Sequence, residues 1–259
     1  MYLIKFGGSV ITDKTSLGIF RRETVDKLVE SMRDVKEEII IVHGAGSFGH
    51  ILAEKHHLNR GCFSDEQRRG FSETHIMVQK LNHLIMESLH QHGLPAVSIA
   101  PHDIVVFRNH NVEEFLYKPF ERYLERGFIP VTFGDVVLDL SKGCSICSGD
   151  VLISTLAKHF HPSKVVFVID EDGLYTANPK IHRDAEFIEE ITPEKLLKLE
   201  TTMDSHADVT SGMAGKIKNI LEISRLHIDT ILVNGNKPER LYAILHGKQT
   251  RCTTVKGCC

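Results

Sequence analysis

The apolar run Ile39-Ile40-Ile41-Val42-His43 stops at Gly44-Ala45-Gly46-Ser47-Phe48-Gly49-His50. β-branched residues favour a strand, and the glycines that follow allow a sharp turn into a helix. A strand that opens a helix through such a turn is a ready-made anion site, because the helix N-terminus offers free N–H groups and partial positive charge. His50 adds a titratable donor beside it, which suggests a phosphate held by backbone and imidazole together. The same glycine spacing also spells a dinucleotide-binding fingerprint, so the turn alone does not name its ligand.

Helices alternate with apolar strands along the rest of the chain. The pattern predicts strands at Tyr2 to Phe6, Ile39 to Val42, Ala96 to Ile99, Phe128 to Thr132, Lys164 to Ile169, Thr230 to Val233 and Thr253 to Val255. It predicts helices from about Arg22 to Lys36, near Ser47, from Ser64 to His92, from Tyr117 to Arg126, after Asp150, and near Pro193 to Leu199, Met213 to Arg225 and Leu241 to Leu245. Val136 to Leu140 and the residues before Cys147 read as a hairpin. This alternation gives an α/β fold, a three-layer α/β/α sandwich with a mainly parallel central sheet covered on both faces. No repeat, low-complexity segment or long linker interrupts it. Residues 1–259 therefore read as one domain, whose halves act as lobes meeting near residue 160.

A formal net charge of −3 leaves no surplus of Lys and Arg for a phosphate backbone, which argues against a general nucleic-acid binder. No apolar run is long enough for a bilayer and no signal-peptide pattern opens the chain, so the expected location is cytoplasmic, without a membrane partner. The six cysteines include the pair Cys144-x-x-Cys147, but the remaining ones do not complete a metal set, and reduced thiols are the expectation. The sixteen histidines contain no His-Glu-x-x-His, and no metal ligands are assigned.

Ligands of α/β sheets bind beyond the carboxyl ends of the strands. Several expected strands here end in glycine-bearing polar turns: Gly7-Gly8-Ser9, Gly44 to His50, Gly134-Asp135, Asp170 to Gly173 and Asn234-Gly235-Asn236. Lys5 lies inside the first strand, where a buried ammonium is costly without a partner. Lys14 follows the first turn, and Lys216 follows Gly212-Met213-Ala214-Gly215, read as a second glycine-rich turn entering a helix. Lysines at such points suit the charge on a transferring phosphoryl group.

Neither a Walker A sequence nor a protein-kinase signature is present. Instead, Ile4-Lys5-Phe6-Gly7-Gly8-Ser9, His43-Gly44-Ala45-Gly46, Ser148-Gly149-Asp150, Asp170-Glu171-Asp172-Gly173-Leu174-Tyr175 and Gly212-Met213-Ala214-Gly215-Lys216 resemble the amino acid kinase superfamily, in that family's order and across almost the whole chain. Within it, Ser9-Val10-Ile11-Thr12-Asp13-Lys14, Gly46-Ser47-Phe48-Gly49-His50 and Asn234 to Arg240 look like the isopentenyl phosphate kinase branch. The resemblance implies transfer of the γ-phosphoryl group of ATP to isopentenyl phosphate, the last step of an archaeal-type mevalonate route to isoprenoids. It also implies Mg²⁺ with the ATP, and a homodimer.

The roles it implies are these. Lys5, Gly7, Gly8 and Ser9 meet the nucleotide's transferring phosphoryl group, and Lys14 bridges donor and acceptor phosphates. Ala45, Gly46 and Gly49 offer backbone donors, His50 binds the acceptor's phosphate, and Gly149 helps close the acceptor site. Asp150 orients Lys5 and Lys216 rather than binding metal. Asp170 and Tyr175 lie along the nucleotide, with Gly212 and Lys216 at its phosphates. The isoprenoid tail is expected in an apolar slot lined from the long helix after Phe71, with Val136 and Ile146.

Two other readings compete. A nicotinamide or flavin enzyme would need a strand ending in an acidic residue about twenty residues beyond the glycine turn. Asp65 and Glu66 are there, but Leu58 to Ser64 is a poor strand. A sister kinase acting on a phosphonate of the fosfomycin kind would also use a histidine at position 50, whereas an amino-acid acceptor would need a clamp for its amino and carboxylate groups, and none is evident.

Overall fold

The computed structural model describes residues 1–13, 15–177, 179, 181–204 and 211–258, with the backbone alone for 200–204 and 211–214. The chain opens with β1 (Tyr2–Phe6), α1 (Gly8–Ile11), α2 (Arg22–Glu30), β2 (Ile39–His43), α3 (Gly46–Lys55) and α4 (Asp65–Gln91). β3 (Ala96–Ser98), α5 (Pro101–Ile104), β4 (Val105–Arg108), β5 (Asn111–Phe115), α6 (Lys118–Leu124), β6 (Ile129–Phe133), β7 (Asp135–Asp139), β8 (Gly143–Cys147) and α7 (Gly149–Phe160) follow. The last part holds β9 (Lys164–Ile169), β10 (Leu174–Tyr175), β11 (Phe187–Ile188), β12 (Glu190–Ile191), α8 (Pro193–Asp204), α9 (Ser211–Ser224), β13 (Thr230–Asn234), α10 (Pro238–Leu245) and β14 (Thr253–Val255).

Eight strands form the central sheet in the order β12-β14-β13-β9-β1-β2-β6-β3. All its pairings are parallel except β13 with β14. Strand side chains alternate between two faces. Leu3, Ile40, Val42, Val165 and Phe167 belong to one core, packed by Leu152 and Leu156 of α7 and by Ile217 and Ile220 of α9. Ile4, Phe6, Ile41, Val166 and Val168 belong to the other, packed by Val25 and Leu28 of α2, Leu81 and Ile85 of α4, and Leu241 of α10. Burial on both faces is why these strands read as unbroken apolar runs. The result is the expected three-layer sandwich. Among the described residues, no helix is long and apolar enough to cross a membrane.

The longest helix starts where its cap predicts. The Ser64 side chain accepts from the Gln67 N–H, and the Gln67 side chain reciprocates at the Ser64 N–H, a full capping box. Two expectations need correction, and one hairpin is unexpected. The helix from Arg22 ends at Glu30, not near Lys36, and Asp34 beyond it takes a positive φ of 63°, which a helix cannot continue through. Gly212 to Gly215 form no turn; they lie within α9, which begins at Ser211. The hairpin of β4 and β5 escapes a local reading, since its Asn109-His110 turn is held by a remote group. The Asp139 carboxylate accepts from both backbone N–H groups, at 3.0 and 2.8 Å, and stabilises their positive φ.

The expectation of six reduced thiols also fails. Cys62 and Cys144 form a disulfide with Cα atoms 5.2 Å apart, joining the segment before α4 to β8. Cys144 and Cys147 are three residues apart on one strand and so face opposite sides of it. Cys147 is buried in the main core, and Cys144 lies in a small cluster with Ala53, Leu58 and Val136.

Candidate active site

Because β9, β1, β2 and β6 are parallel neighbours, their carboxyl ends share one edge of the sheet. Each ends in one of the turns named above. A cavity of about 850 Å³ opens along this edge and takes lining from all four turns, from the start of α7 and from α9. Two turns are in direct backbone contact. A Cβ on Gly8 would lie 2.6 Å from the Gly46 nitrogen, and one on Gly44 would lie 2.7 Å from the Gly8 nitrogen. The glycines thus do more than expose N–H groups: they let the turn after β1 and the turn after β2 touch. Thr12 fastens the contact, its hydroxyl donating to Gly8 O at 2.8 Å and accepting from Ser47 N at 3.0 Å.

Three charged side chains converge at the centre of the cavity. Lys5 Nζ lies 2.7 Å and Lys216 Nζ 3.3 Å from the same oxygen of Asp150. Asp150 is in the first turn of α7, whose cap is Ser148, accepting from Val151 N at 3.2 Å. Lys5 is 4% exposed. Burial, and next the neighbouring charge of Lys216, lower its pKa to about 8, with Asp150 working the other way. Burial alone would raise the Asp150 pKa, but the two ammonium groups more than reverse this and hold it below the ordinary carboxylate value. Both lysines also sit 5.6 Å from the centre of the Phe167 ring.

His50 opens into the cavity from α3. Its imidazole reaches solvent, yet the surrounding walls and, secondarily, the charge of Lys5 depress its pKa below 6.5, with Asp150 opposing. The lining also carries the apolar side chains Ile51, Ala53, Val78, Val136 and Ile146. Phe71 packs behind this wall, in the cluster of Val136 and Ile146, and does not line the cavity.

The structure brings Lys5, Gly7, Gly8, Ser9, Ala45, Gly46, Gly49, His50, Gly149, Asp150, Asp170 and Lys216 to one cavity. Ser9 donates to Asp170 at 2.9 Å. Tyr175 is not in the lining: it pairs with Phe187 across the β10–β11 ribbon, ring edge to face at 5.4 Å. Gly212 lies in the first turn of α9, and Lys14 lies outside the described residues.

Sequence reasoning missed the centre that holds the turn after β9. Asp172 takes Asn234 at 2.8 Å, Arg240 at 2.8 Å, Lys237 at 3.3 Å and Arg251 at 3.2 Å. Burial opposes its charge, but Asn234 and the cations bring its pKa down to about 2. The late Asn234 to Arg240 motif therefore grips the Asp170–Gly173 turn. The only sequence signal was the repeated polarity of two strand ends.

The sequence model of the Amino acid kinase family matches residues 1–234, and the chain belongs to that family. Its relatives are more particular. An isopentenyl phosphate kinase of Methanothermobacter thermautotrophicus is 34% identical, covering 99% of each chain. That of Thermoplasma acidophilum is 32% identical over 98% of this chain and 99% of its own. A crystal structure of an isopentenyl phosphate kinase superposes with a TM-score of 0.87 at 31% identity, covering 99% of this chain and all of the other.

Proposed function

We propose that this protein transfers the γ-phosphoryl group of ATP to isopentenyl phosphate, giving isopentenyl diphosphate and ADP, within a mevalonate-type route to isoprenoids. The observation that carries the reading is one cavity lined by the Lys5–Asp150–Lys216 cluster, by His50 and by a set of apolar side chains together. Full-length similarity to isopentenyl phosphate kinases supports it.

A phosphate monoester is already nucleophilic near neutral pH, so no strong base is required. Its oxygen forms a bond to the γ-phosphorus as the bond to the β,γ-bridging oxygen breaks, and ADP leaves. The obstacle is the approach of two anions. Lys5 and Lys216, anchored on Asp150, sit where their charges offset that repulsion. His50 takes the acceptor's phosphate, whose negative charge raises the depressed imidazole pKa and favours the protonated donor. Backbone N–H groups of Gly8, Ser9, Ala45 and Gly46 add donors that carry no charge cost. The expected donor at Gly49 is already given to Ala45 O at 3.2 Å, so Gly49 serves by its small size at the cavity wall. Gly7, Asp170, Tyr175 and Gly212 belong to the nucleotide's side, Gly149 to the acceptor's, and Lys14 bridges the two phosphates.

Mg²⁺ fits as a passenger of ATP. Asp150 is already held by two ammonium groups, so it is poorly suited to a cation, and Mg²⁺ favours phosphate oxygens and water over a full protein cage. When bound, the ion would supply neutralisation of phosphate charge, and Asp170 is the lining carboxylate that would hold it on the nucleotide's side.

Residues up to about 160 form the acceptor half and the remainder the nucleotide half of one domain. A homodimer through the first half is what the resemblance to the family implies. The use of ATP and of a small phosphorylated acceptor favours the cytoplasm.

The test is an ADP-release assay across isopentenyl phosphate, dimethylallyl phosphate, fosfomycin, N-acetylglutamate and UMP. Isopentenyl phosphate is expected to have the highest kcat/KM. Preference for fosfomycin or N-acetylglutamate would overturn the reading.

A further inference from the structure

Beside the acceptor end of the cavity, three elements bring together side chains that the phosphoryl transfer does not use. His75 projects from α4, His102 from α5 and Asp135 from the start of β7. His75 Nδ1 is 2.8 Å and His102 Nδ1 3.6 Å from the same oxygen of Asp135. One ligand atom from each of the three lies within 4.8 Å of the others. The two imidazole rings stand at 81° with centroids 4.3 Å apart, so they are crossed rather than stacked face to face.

We propose that His75, His102 and Asp135 bind one zinc-class divalent metal ion. The donor set is two imidazole nitrogens and one carboxylate oxygen, which suits Zn²⁺ with a water in the fourth position and does not suit Mg²⁺. Tetrahedral bonds of about 2.0–2.1 Å place ligand atoms roughly 3.3 Å apart. The observed 2.8 and 3.6 Å bracket that value and the third separation lies within 4.8 Å, so completing the site calls for the two imidazoles to draw together by up to an ångström or so.

The surroundings match those of a metal centre. Metal-bound histidines usually give their second ring nitrogen to an acceptor. Gln79 Nε2 lies 3.0 Å from His75 Nε2; metal binding at Nδ1 requires that amide to turn over, so that its carbonyl accepts the Nε2–H in place of the present contact. Asp103 lies 3.4 Å from His102 Nε2. The other oxygen of Asp135 accepts from Val136 N at 2.8 Å. His102 Nδ1 is buried without a hydrogen-bond partner, a cost that a metal bond removes. Asp135 and Val136 line the cavity, as do Thr74 and Val78 on either side of His75 in α4. The ion would thus tie α4, α5 and β7 together behind the acceptor slot, apart from the Mg²⁺ that travels with ATP.

The test is binding of Zn²⁺, and of Co²⁺ as its spectroscopic stand-in, to the purified protein by calorimetry and visible absorption. No readout uses kinase turnover, so it stands or falls separately from the assigned reaction. One equivalent should bind, with cobalt d–d bands and no sulfur charge-transfer band. His75→Ala and His102→Ala should each weaken it at least tenfold, and Gln79→Ala by about tenfold. At about a hundredfold excess over Kd, zinc should raise the wild-type Tm by roughly 5–10 °C and that of His102→Ala by much less. His102 is partly exposed on a four-residue helix, so that variant should keep its fold even if His75→Ala does not. Absence of a bound equivalent, cobalt bands showing only sulfur ligation, or unchanged binding in His102→Ala would overturn the proposal, leaving a hydrogen-bonded His–Asp pair.

Discussion

Lys5 and Lys216 meet on one carboxylate oxygen, 2.7 and 3.3 Å from Oδ1 of Asp150, although 145 and 66 residues separate them from it in sequence. Two like charges are thereby held together before any phosphate arrives. Burial first, and the charge of Lys216 second, bring the Lys5 pKa down to about 8.

That shift sets a pH dependence. The charged ammonium is the useful form, and its fraction falls as pH rises through about 8 in the free enzyme. Bound phosphates raise the pKa again. Consequently kcat/KM for ATP should decline above about pH 8, whereas kcat should hold to higher pH. Asp150→Asn removes the one compensating charge and should move the alkaline limb of kcat/KM lower. An unmoved limb, with a raised requirement for Mg²⁺, would make Asp150 a metal ligand instead.

Lys216→Ala should lower kcat by about a hundredfold or more while leaving acceptor KM within a few-fold, since its charge is needed most as the phosphoryl group moves. Steady-state kinetics with each substrate varied would check this. A raised acceptor KM at unchanged kcat would put Lys216 on the wrong substrate.

His50→Ala should nearly abolish turnover of isopentenyl phosphate with little change in ATP affinity. Since the free imidazole is depressed and the bound phosphate raises it, acceptor binding near pH 7 should take up protons. Calorimetry in buffers of different ionisation enthalpy measures that uptake. It should shrink in His50→Ala, and full uptake in that variant would remove His50 from the acceptor.

Gly8→Ala should disable the enzyme. The added methyl meets the Gly46 backbone at 2.6 Å, and neither turn has a flexible side chain that could yield. A loss of about 1–3 kcal/mol in stability is expected, with activity falling further than stability accounts for. Denaturant unfolding and turnover, measured together, test this.

Asp172→Ala should cost about 2–3 kcal/mol, chiefly because it strands the buried Arg240 guanidinium, whereas the half-exposed Lys237 and Arg251 add little. The native pKa of about 2 lies below the ordinary 3.8. The stabilisation is therefore fully present above the ordinary value and is lost as pH falls toward about 2. Wild type and variant should converge in stability over that acid range.

Periodic features could be read from the sequence. The strands of both core faces, the Ser64 cap and the turns after β1, β2 and β9 lie close to where local pattern places them. What stayed hidden depends on groups far apart in sequence. Asp139 holds the Asn109-His110 turn, Cys62 pairs with Cys144 across 82 residues, and His75 meets Asp135 across 60. No window along the chain shows such meetings. Residues recognised by family order, such as Tyr175, carried no geometry with them, and Tyr175 falls outside the cavity.

β1 lies between β2 and β9, with Lys5 opposite Val42 on one side and Phe167 on the other. The strands that carry the acceptor turn and the nucleotide turn are thus laced together through one shared ladder. On the proposed reading, a hinge between those strands would have to break that shared pairing, so the spacing of donor and acceptor turns is expected to be set by the sheet rather than by closure. Selection among alcohol phosphates would then rest on how well a tail fits the apolar part of the lining while its phosphate reaches the same point.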